Sequence, residues 1–470
     1  MNVKLYTFLI CVVGATPLGA QRMVCSYAEA ESMMLQASDA LKVSEAELMI
    51  ARHERSKARS WWWPHLQADG AYAHLSEPIE VRQPLSQYTD PIRERVLQID
   101  PSERLITDLL DRVGSYTLTF PLVPQNVASV GLTAEWVAFS GGKRLYADKL
   151  ARQLVEVAEV NAGQTRTLKQ VELVERYYGV ALAQQTAEVC RERYEGLRRH
   201  YEQALRMEQV GLIDRAARLL AQVGMEEALN EWQQAQHSER NAVVALNQLL
   251  GIGSDEPSLS LSSSLFIVAQ LPPESVFAEH SAVANHALAL LGVQERMAHN
   301  EVRMAQSDYM PEIALFGQQT LYAHGLPSNL LPRTIVGVGF TWNLFDGLKR
   351  ERQVSQARLA KQSLVWSREQ AENDVSLAVS RLYATLQQMA GEVRVLDTTI
   401  ALHTEVLRVR QSAFAEGMAT SMDVVDAIHA VATVRLARLT ATYAYDVALA
   451  GMLAACGLMD DFRKYASEQL

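Results

Sequence analysis

Proline is absent from residues 125–256 and again from 333–470, and each absence permits a very long helix. Beyond the first twenty residues there is no long uncharged apolar run, which excludes a spanning helix there. If that remainder enters a membrane, it must do so as a closed β-barrel. Cysteine is scarce: Cys11, Cys25, Cys190 and Cys456 show neither metal-ligand spacing nor a paired pattern. The 11 histidines are scattered, with no HExxH and no His/Cys cluster. A nucleophile elbow and a Gly-rich phosphate loop are also missing, so nothing points to an enzyme, a metal or a cofactor. Basic blocks are missing too. With a net charge of −10 and Lys and Arg mixed among acids, the chain has no footprint for a nucleic acid.

What is present suits an ordered protein: 49% hydrophobic and 21% charged residues in a chain of 470, too long for one compact domain. Lys4, the apolar stretch Leu5–Val13 and the small residues Gly19 and Ala20 read as an export signal over 1–20. Its cleavage point lies either after Leu18-Gly19-Ala20 or as late as Ser26-Tyr27-Ala28. Cys25 raises lipidation, but Arg22-Met23-Val24 before it matches a lipidation box poorly.

The dominant feature is an internal repeat. Val130-Gly-Leu-Thr-Ala-Glu-Trp-Val-Ala-Phe-Ser-Gly-Gly-Lys-Arg144 aligns without a gap to Val336-Gly-Val-Gly-Phe-Thr-Trp-Asn-Leu-Phe-Asp-Gly-Leu-Lys-Arg350, an offset of 206. The same offset pairs Tyr177 with Tyr383, Gly211 with Gly417 and Gly251 with Gly457. Upstream, Ala51, Glu54, Ala58, Pro64 and Gly70 match Ala298, Glu301, Ala305, Pro311 and Gly317 at an offset of 247. The first copy therefore carries 41 extra residues, within 77–126, where six of the 14 prolines fall. That stretch reads as a long surface loop with a short helix after Pro101.

The repeats are expected at 28–252 and 274–458, joined by a Ser/Pro-rich linker at 253–273 and followed by a tail at 459–470. Each opens with a helix rich in Ala, Glu, Leu and Met. Strands are expected at about 64–75, 127–139, 311–322 and 334–345. Val336, Val338, Phe340, Trp342 and Leu344 alternate with small or polar residues. This fits a barrel wall with lipid on one side and water on the other, or a strand on a soluble core. Helical hairpins are expected at 143–250 and 347–456, with tips at Gly211 and Gly417 and returning helices capped by Asp214 and by Thr420 or Ser421. Leu150, Leu154, Val157, Asn161, Leu168, Val171, Tyr178, Ala181, Tyr194, Leu197, Tyr201 and Leu205 recur in a coiled-coil-like pattern.

Trp342-Asn-Leu-Phe-Asp-Gly347 and Phe414-Ala-Glu-Gly-Met-Ala-Thr-Ser-Met-Asp-Val-Val-Asp-Ala427, with the duplicated strand–strand–helix–helix plan, resemble the outer-membrane efflux protein (TolC) family. The resemblance covers nearly the whole mature chain. It implies a mixed α and β membrane protein. Three copies would build a twelve-stranded β-barrel, four strands from each, continued by a long periplasmic α-helical barrel. It further implies an exit duct of a tripartite efflux or type I secretion system, whose tips dock on a periplasmic adaptor and through it on an inner-membrane pump. The alternative is a periplasmic coiled-coil scaffold or adaptor with no barrel.

Asp423 and Asp426 match aspartates that line the closed tunnel end in the family. They would form carboxylate rings, or Asp423 would serve only its helix N-terminus. Phe414 and Ala419 stand where the family often has Tyr and Arg, so a lock at the aperture needs other groups. Gly211, Leu212, Arg215 and Leu219 in the first tip, with Gly417 and Met418 in the second, are candidates for adaptor contact or for plain helix packing. Trp61, Trp62 and Trp63, with Trp136 and Trp342, suit a membrane interface or ordinary packing at a helix-to-strand junction.

Overall fold

A computed structural model of the protein describes residues 24–253, 260–325 and 332–467. The export signal expected at 1–20 lies outside the described residues, as do parts of the expected linker and tail. The described chain opens with the two-residue strand β1 (Val24–Cys25), then helices α1 (Tyr27–Ala37) and α2 (Asp39–Ser60). Strand β2 (His65–His74) is followed by an inserted set, β3 (Ile79–Pro84), α3 (Ser86–Ile99), α4 (Arg104–Gly114) and β4 (Thr117–Val123). Strand β5 (Asn126–Ser140) leads into a helical hairpin, α5 (Lys143–Gln209) and α6 (Arg215–Leu250). After the short β6 (Ser260–Leu261) the plan recurs as α7 (Glu274–Ala284), α8 (His286–Ser307), β7 (Glu312–His324), β8 (Thr334–Thr341), α9 (Lys349–Ala415) and α10 (Ser421–Ala455). A 3₁₀ turn at Met459–Asp461 and α11 (Phe462–Ser467) close it.

The two copies agree element for element. Tyr27 to Glu274, Asp39 to His286 and His65 to Glu312 are each steps of 247. Helices α5 and α9 start 206 apart and both run for 67 residues. Strand registers follow the same offsets. His65 pairs with Glu135 in β2–β5, and Glu312 pairs with Thr341 in β7–β8. The second pair is the first moved by 247 and by 206.

The chain divides into two units. One consists of residues 52–152 and 297–361. Its sheet is antiparallel, in the order β2-β5-β7-β8, so among the described residues β2 and β8 are open edges. The inserted stretch holds the short helix expected after Pro101, as α4, but the rest is not the loop expected from its prolines. Strands β3 and β4 pair antiparallel, and α3 and α4 fill the connection. Alternation at Ile79/Val81 and Leu118/Phe120/Leu122 makes the strands; Pro84 ends β3, and Pro121 sits where the register shifts between Ile79 and Glu80, an irregularity that accommodates a residue with no N–H.

The other unit holds residues 153–296, the described residues up to Ala51, and those from Gln362. Its core joins the rings of Tyr27, Tyr177, Tyr178, Phe266 and Phe462. Phe266, from the expected linker, is 3% exposed, and its N–H donates to the Asp446 carboxylate at 3.4 Å. Phe462, from the expected tail, is fully buried. Both segments are therefore part of the fold. Ser26 caps α1 in a capping box and Tyr27 is a core ring, so the later cleavage point would remove structural residues. Cys25, Cys190 and Cys456 are free and buried. The coiled-coil pattern on α5 needs correction. Leu154 and Leu168 are exposed, while Leu173, Val174, Tyr177 and Val180 are buried. The buried face is set by α1, α6 and the linker as well as by a single helical seam.

Candidate functional site

The hairpin tips are built alike. Each long helix ends in a glycine with a left-handed backbone, Gly211 at φ 75° and Gly417 at φ 76°. The next N–H reaches back to the helix, from Leu212 to Met207 O at 2.8 Å and from Met418 to Ala413 O at 2.8 Å. This is the Schellman ending, in which glycine avoids a Cβ clash and orphan carbonyls are satisfied. The returning helices start on caps. Asp214 accepts from Ala217 N–H at 2.8 Å, and Thr420 from Asp423 N–H at 3.2 Å. Leu212 and Met418, related by the 206 offset, are 71% and 73% exposed. Gly211, Gly417, Arg215 and Leu219 are exposed as well.

Asp423 has two tasks visible in one chain. Its carboxylate accepts from Thr420 N–H at 2.9 Å and from the Thr420 hydroxyl at 2.7 Å, completing a capping box. It also pairs with Arg410 at 3.1 Å. The Thr420 hydrogen bonds first, and the Arg410 guanidinium after them, hold its carboxyl below the ordinary carboxylate value. Asp426 is exposed, one turn further on.

Phe414, expected at the aperture, is 1% exposed. Its ring packs with Leu197, Met207, Val424 and Ile428, so it supports the tip from behind and lines no surface. Sequence reasoning missed its partner. His200, from α5, is 4% exposed, and its ring meets that of Phe414 edge-on at 4.7 Å. His200 Nε2 lies 2.8 Å from the Ser421 hydroxyl, within hydrogen-bond distance. Burial pushes the imidazole below its ordinary value of 6.5, so the neutral ring is favoured. His200 thus ties the first hairpin to both ends of the second tip. It was hidden because the 206 offset aligns it with Val406, and a lone His carries no signal.

A second constellation sits where helix turns to strand. Trp136 donates its indole N–H to Trp62 O at 3.0 Å, and Trp342 donates to Tyr309 O at 3.1 Å. Arg144 donates to Trp61 O at 3.0 Å and Ala138 O at 2.8 Å, with its guanidinium 4.7 Å above the Trp62 ring. Arg350 donates to Asp308 O at 3.4 Å and Leu344 O at 3.2 Å, 5.1 Å above the Tyr309 ring. Each bond in one copy maps onto its counterpart by 247 and 206. The repeated Trp and Arg therefore clamp the junction. Trp61, Trp62 and Trp63 remain 59%, 47% and 76% exposed.

The sheet has two unlike faces. Val336, Val338 and Phe340 share a face with Leu315 and Ile313 through the β7–β8 register, and Leu315 in turn pairs with Trp136. Opposite lie Gln67, Asp69, Thr133, Glu135, Gln318 and Thr341, with the Thr133 hydroxyl donating to Asp69 at 3.2 Å. Phe316 is an apolar side chain on that polar face. It is accommodated because its partner is glycine: a Cβ on Gly337 would come within 2.5 Å of the Phe316 ring. Val336, Val338 and Phe340 are 79%, 67% and 76% exposed, an apolar band with no protein cover in one chain.

Residues 279–458 match the family model described as "Outer membrane efflux protein". The match falls in the second repeat, from within α7 to just past α10. The solved structure of CusC, described in terms of transmembrane channel formation, is similar with a TM-score of 0.74, 16% identity and 95% of each chain covered. The CmeC outer membrane channel of Campylobacter jejuni gives 0.70, with 13% identity over 99% of this chain and 98% of that one. These likenesses show a shared fold that runs through both repeats. A curated relative, "Alkaline protease secretion protein AprF" of Pseudomonas aeruginosa, is 23% identical over 297 residues. The match covers 62% of this chain and 62% of that relative's length.

Proposed function

We propose that the protein is the outer-membrane exit duct of an export system, working as a homotrimer. The observation that carries this is the open sheet of four antiparallel strands with one apolar and one polar face. An open edge is not tolerated in hydrocarbon, and four strands are too few to enclose a lumen, whereas three copies supply twelve. The apolar face meets lipid and the polar face lines water. Trp61, Trp62 and Trp63 lie at the membrane interface. The helical hairpins continue the duct into the periplasm, where the tips meet an adaptor and through it an inner-membrane pump. AprF is named for protein secretion, and the other relatives for channels, so the class of cargo is left to the pump.

Asp423 and Asp426 would form carboxylate rings at the inner aperture and favour cations. Asparagine at both positions keeps the Asp423 capping geometry and removes the charge. In planar bilayers, Asp423→Asn with Asp426→Asn is expected to lower cation-over-anion permeability markedly at unchanged conductance per trimer. Unaltered selectivity would remove the ring from the account.

Leu212 and Met418 would act as apolar knobs for the adaptor. Losing one such anchor costs about 2 kcal/mol, or roughly thirtyfold in affinity. Leu212→Asp is expected to reduce adaptor cross-linking and export by that order. Gly211→Pro with Leu212→Asp should abolish both, while the protein stays trimeric and inserted. Normal export in both variants would assign these residues to the tip alone.

A further inference from the structure

We infer that β8 of one copy pairs antiparallel with β2 of the next copy in a defined register, with Trp342 opposite Ala68, Phe340 opposite Gly70 and Val338 opposite Tyr72. This rests on the reading of the chain as a barrel-forming trimer and goes beyond it by fixing which residues meet.

One chain already contains the contacts that set this register. The two repeats are related by 247 in the first strand and 206 in the second, and this pair of offsets converts the β2–β5 register into that of β7–β8. The chain also shows how the second strand of one repeat meets the first strand of the following repeat. In β5–β7, Trp136 pairs with Leu315, Ala134 with Gly317 and Leu132 with Gln319. In a closed ring the next such boundary lies between copies, where β8 stands for β5 and β2 for β7. Adding 206 to one side and subtracting 247 from the other gives the three pairs above. Both strands are open edges in one chain, with two strands between them at about 4.8 Å spacing, so the chain cannot join them itself.

Two further observations agree. Lys143 and Asp308 form an ion pair at 2.5 Å across the boundary between repeats. Their counterparts are Lys349 and Trp61, so the ion pair would become an ammonium against an exposed indole of the next copy. In the helical unit, a Cβ placed on Gly196 would lie 3.8 Å from Ile428, and His200 meets Ser421 across the same boundary. Their counterparts on α9 are Leu402 and Val406, 63% and 48% exposed in one chain. The neighbouring α6 would cover them. A second copy accounts for both the unpaired edges and this uncovered helix face.

Cysteine pairs test the register in protein inserted in membranes. Gly70→Cys has room, since the nearest atoms to a new Cβ are 3.9 Å away. Paired with Phe340→Cys, mild oxidation is expected to give a covalent trimer that reduction reverses. Phe340→Cys with Ala68→Cys or with Tyr72→Cys should give about tenfold less. A shift of two residues moves Cβ atoms from about 5 Å to about 7–8 Å apart, beyond disulfide reach. Among the described residues the native cysteines, Cys25, Cys190 and Cys456, are buried and do not compete. A covalent trimer from a shifted pair overturns the register but leaves the barrel. Monomer only from all three pairs, in protein that still runs as an inserted trimer, overturns the strand pairing. Protein that never inserts or assembles, wild type included, overturns the reading beneath it.

Discussion

Phe414→Ala is expected to loosen the second hairpin tip and raise the resting conductance several-fold. Emptying a fully packed Phe site costs roughly 3–5 kcal/mol, and here the cavity opens beside His200, Leu197 and Ile428. The loss is local, because this cluster is separate from the core around Tyr177 and Tyr178. Amide exchange should accelerate near His200 and Ser421 and stay slow at Leu173 and Leu449. Equal conductance and equal protection would show that this packing does not hold the tip. The same site predicts a response to acid. The tip as packed in this structure buries His200 and favours its neutral form, while an opened tip would release it toward its ordinary value of 6.5. Between the lowered value and 6.5 the open form binds more protons, so closure weakens as pH falls through that window. The Asp423 carboxylate stays charged there, because it is held below its usual value of 3.8. Conductance should therefore rise below about pH 6.5 in the wild type. It should lose that dependence in His200→Gln, which keeps a partner for Ser421. A wild-type response that persists in His200→Gln would place the sensor elsewhere.

Arg350→Ala is expected to be the most damaging single change in the unit that holds the four-stranded sheet. The side chain is 8% exposed and serves backbone carbonyls of Asp308, Asn343 and Leu344, the Asn343 bond at 2.6 Å. Truncation strands those carbonyls and the Asp346 carboxylate, which sits 3.1 Å from the guanidinium. Each hydrogen bond from the charged group contributes about 1–3 kcal/mol, and water replaces part of it because Asn343 and Leu344 are exposed, so a total of roughly 2–4 kcal/mol is expected. The assembled trimer should dissociate at distinctly lower temperature in detergent, or fail to form. Arg350→Lys should recover only part, because an ammonium cannot fork between carbonyls. Arg144→Ala should be milder. Its counterpart of Asp346 is Ser140, so no carboxylate is stranded. Trp342→Phe removes one hydrogen bond to Tyr309 and should cost about 1 kcal/mol. If Arg350→Ala melts like the wild type, the junction clamp is not a stability element.

The repeat was legible because Trp, Gly, Lys and Arg at an ungapped offset answer a shared backbone need. Gly211 and Gly417 end helices, and Arg144 and Arg350 clamp a turn. The alternation at Val336, Val338 and Phe340 was legible for the same reason: a strand with two environments writes them at period two. The inserted hairpin at 77–126 was obscured by its prolines, which punctuate loops more often than strands. Phe266 and Phe462 were hidden because a linker and a tail carry no periodicity, and only tertiary packing makes them core. The tip was half visible. Asp423 and Asp426 stand in a recognisable motif, but the His200–Ser421–Phe414 arrangement joins residues 221 apart in the chain that share no pattern.

The central claim is that three copies of this chain close one water-filled duct across a lipid bilayer. Purified protein added to one side of a planar lipid membrane tests it directly. The account predicts stepwise, uniform conductance increments that scale with inserted trimers and are altered by Asp423→Asn with Asp426→Asn. Protein that binds the bilayer or remains in solution without any conductance step, under conditions where it is folded and trimeric, would contradict it.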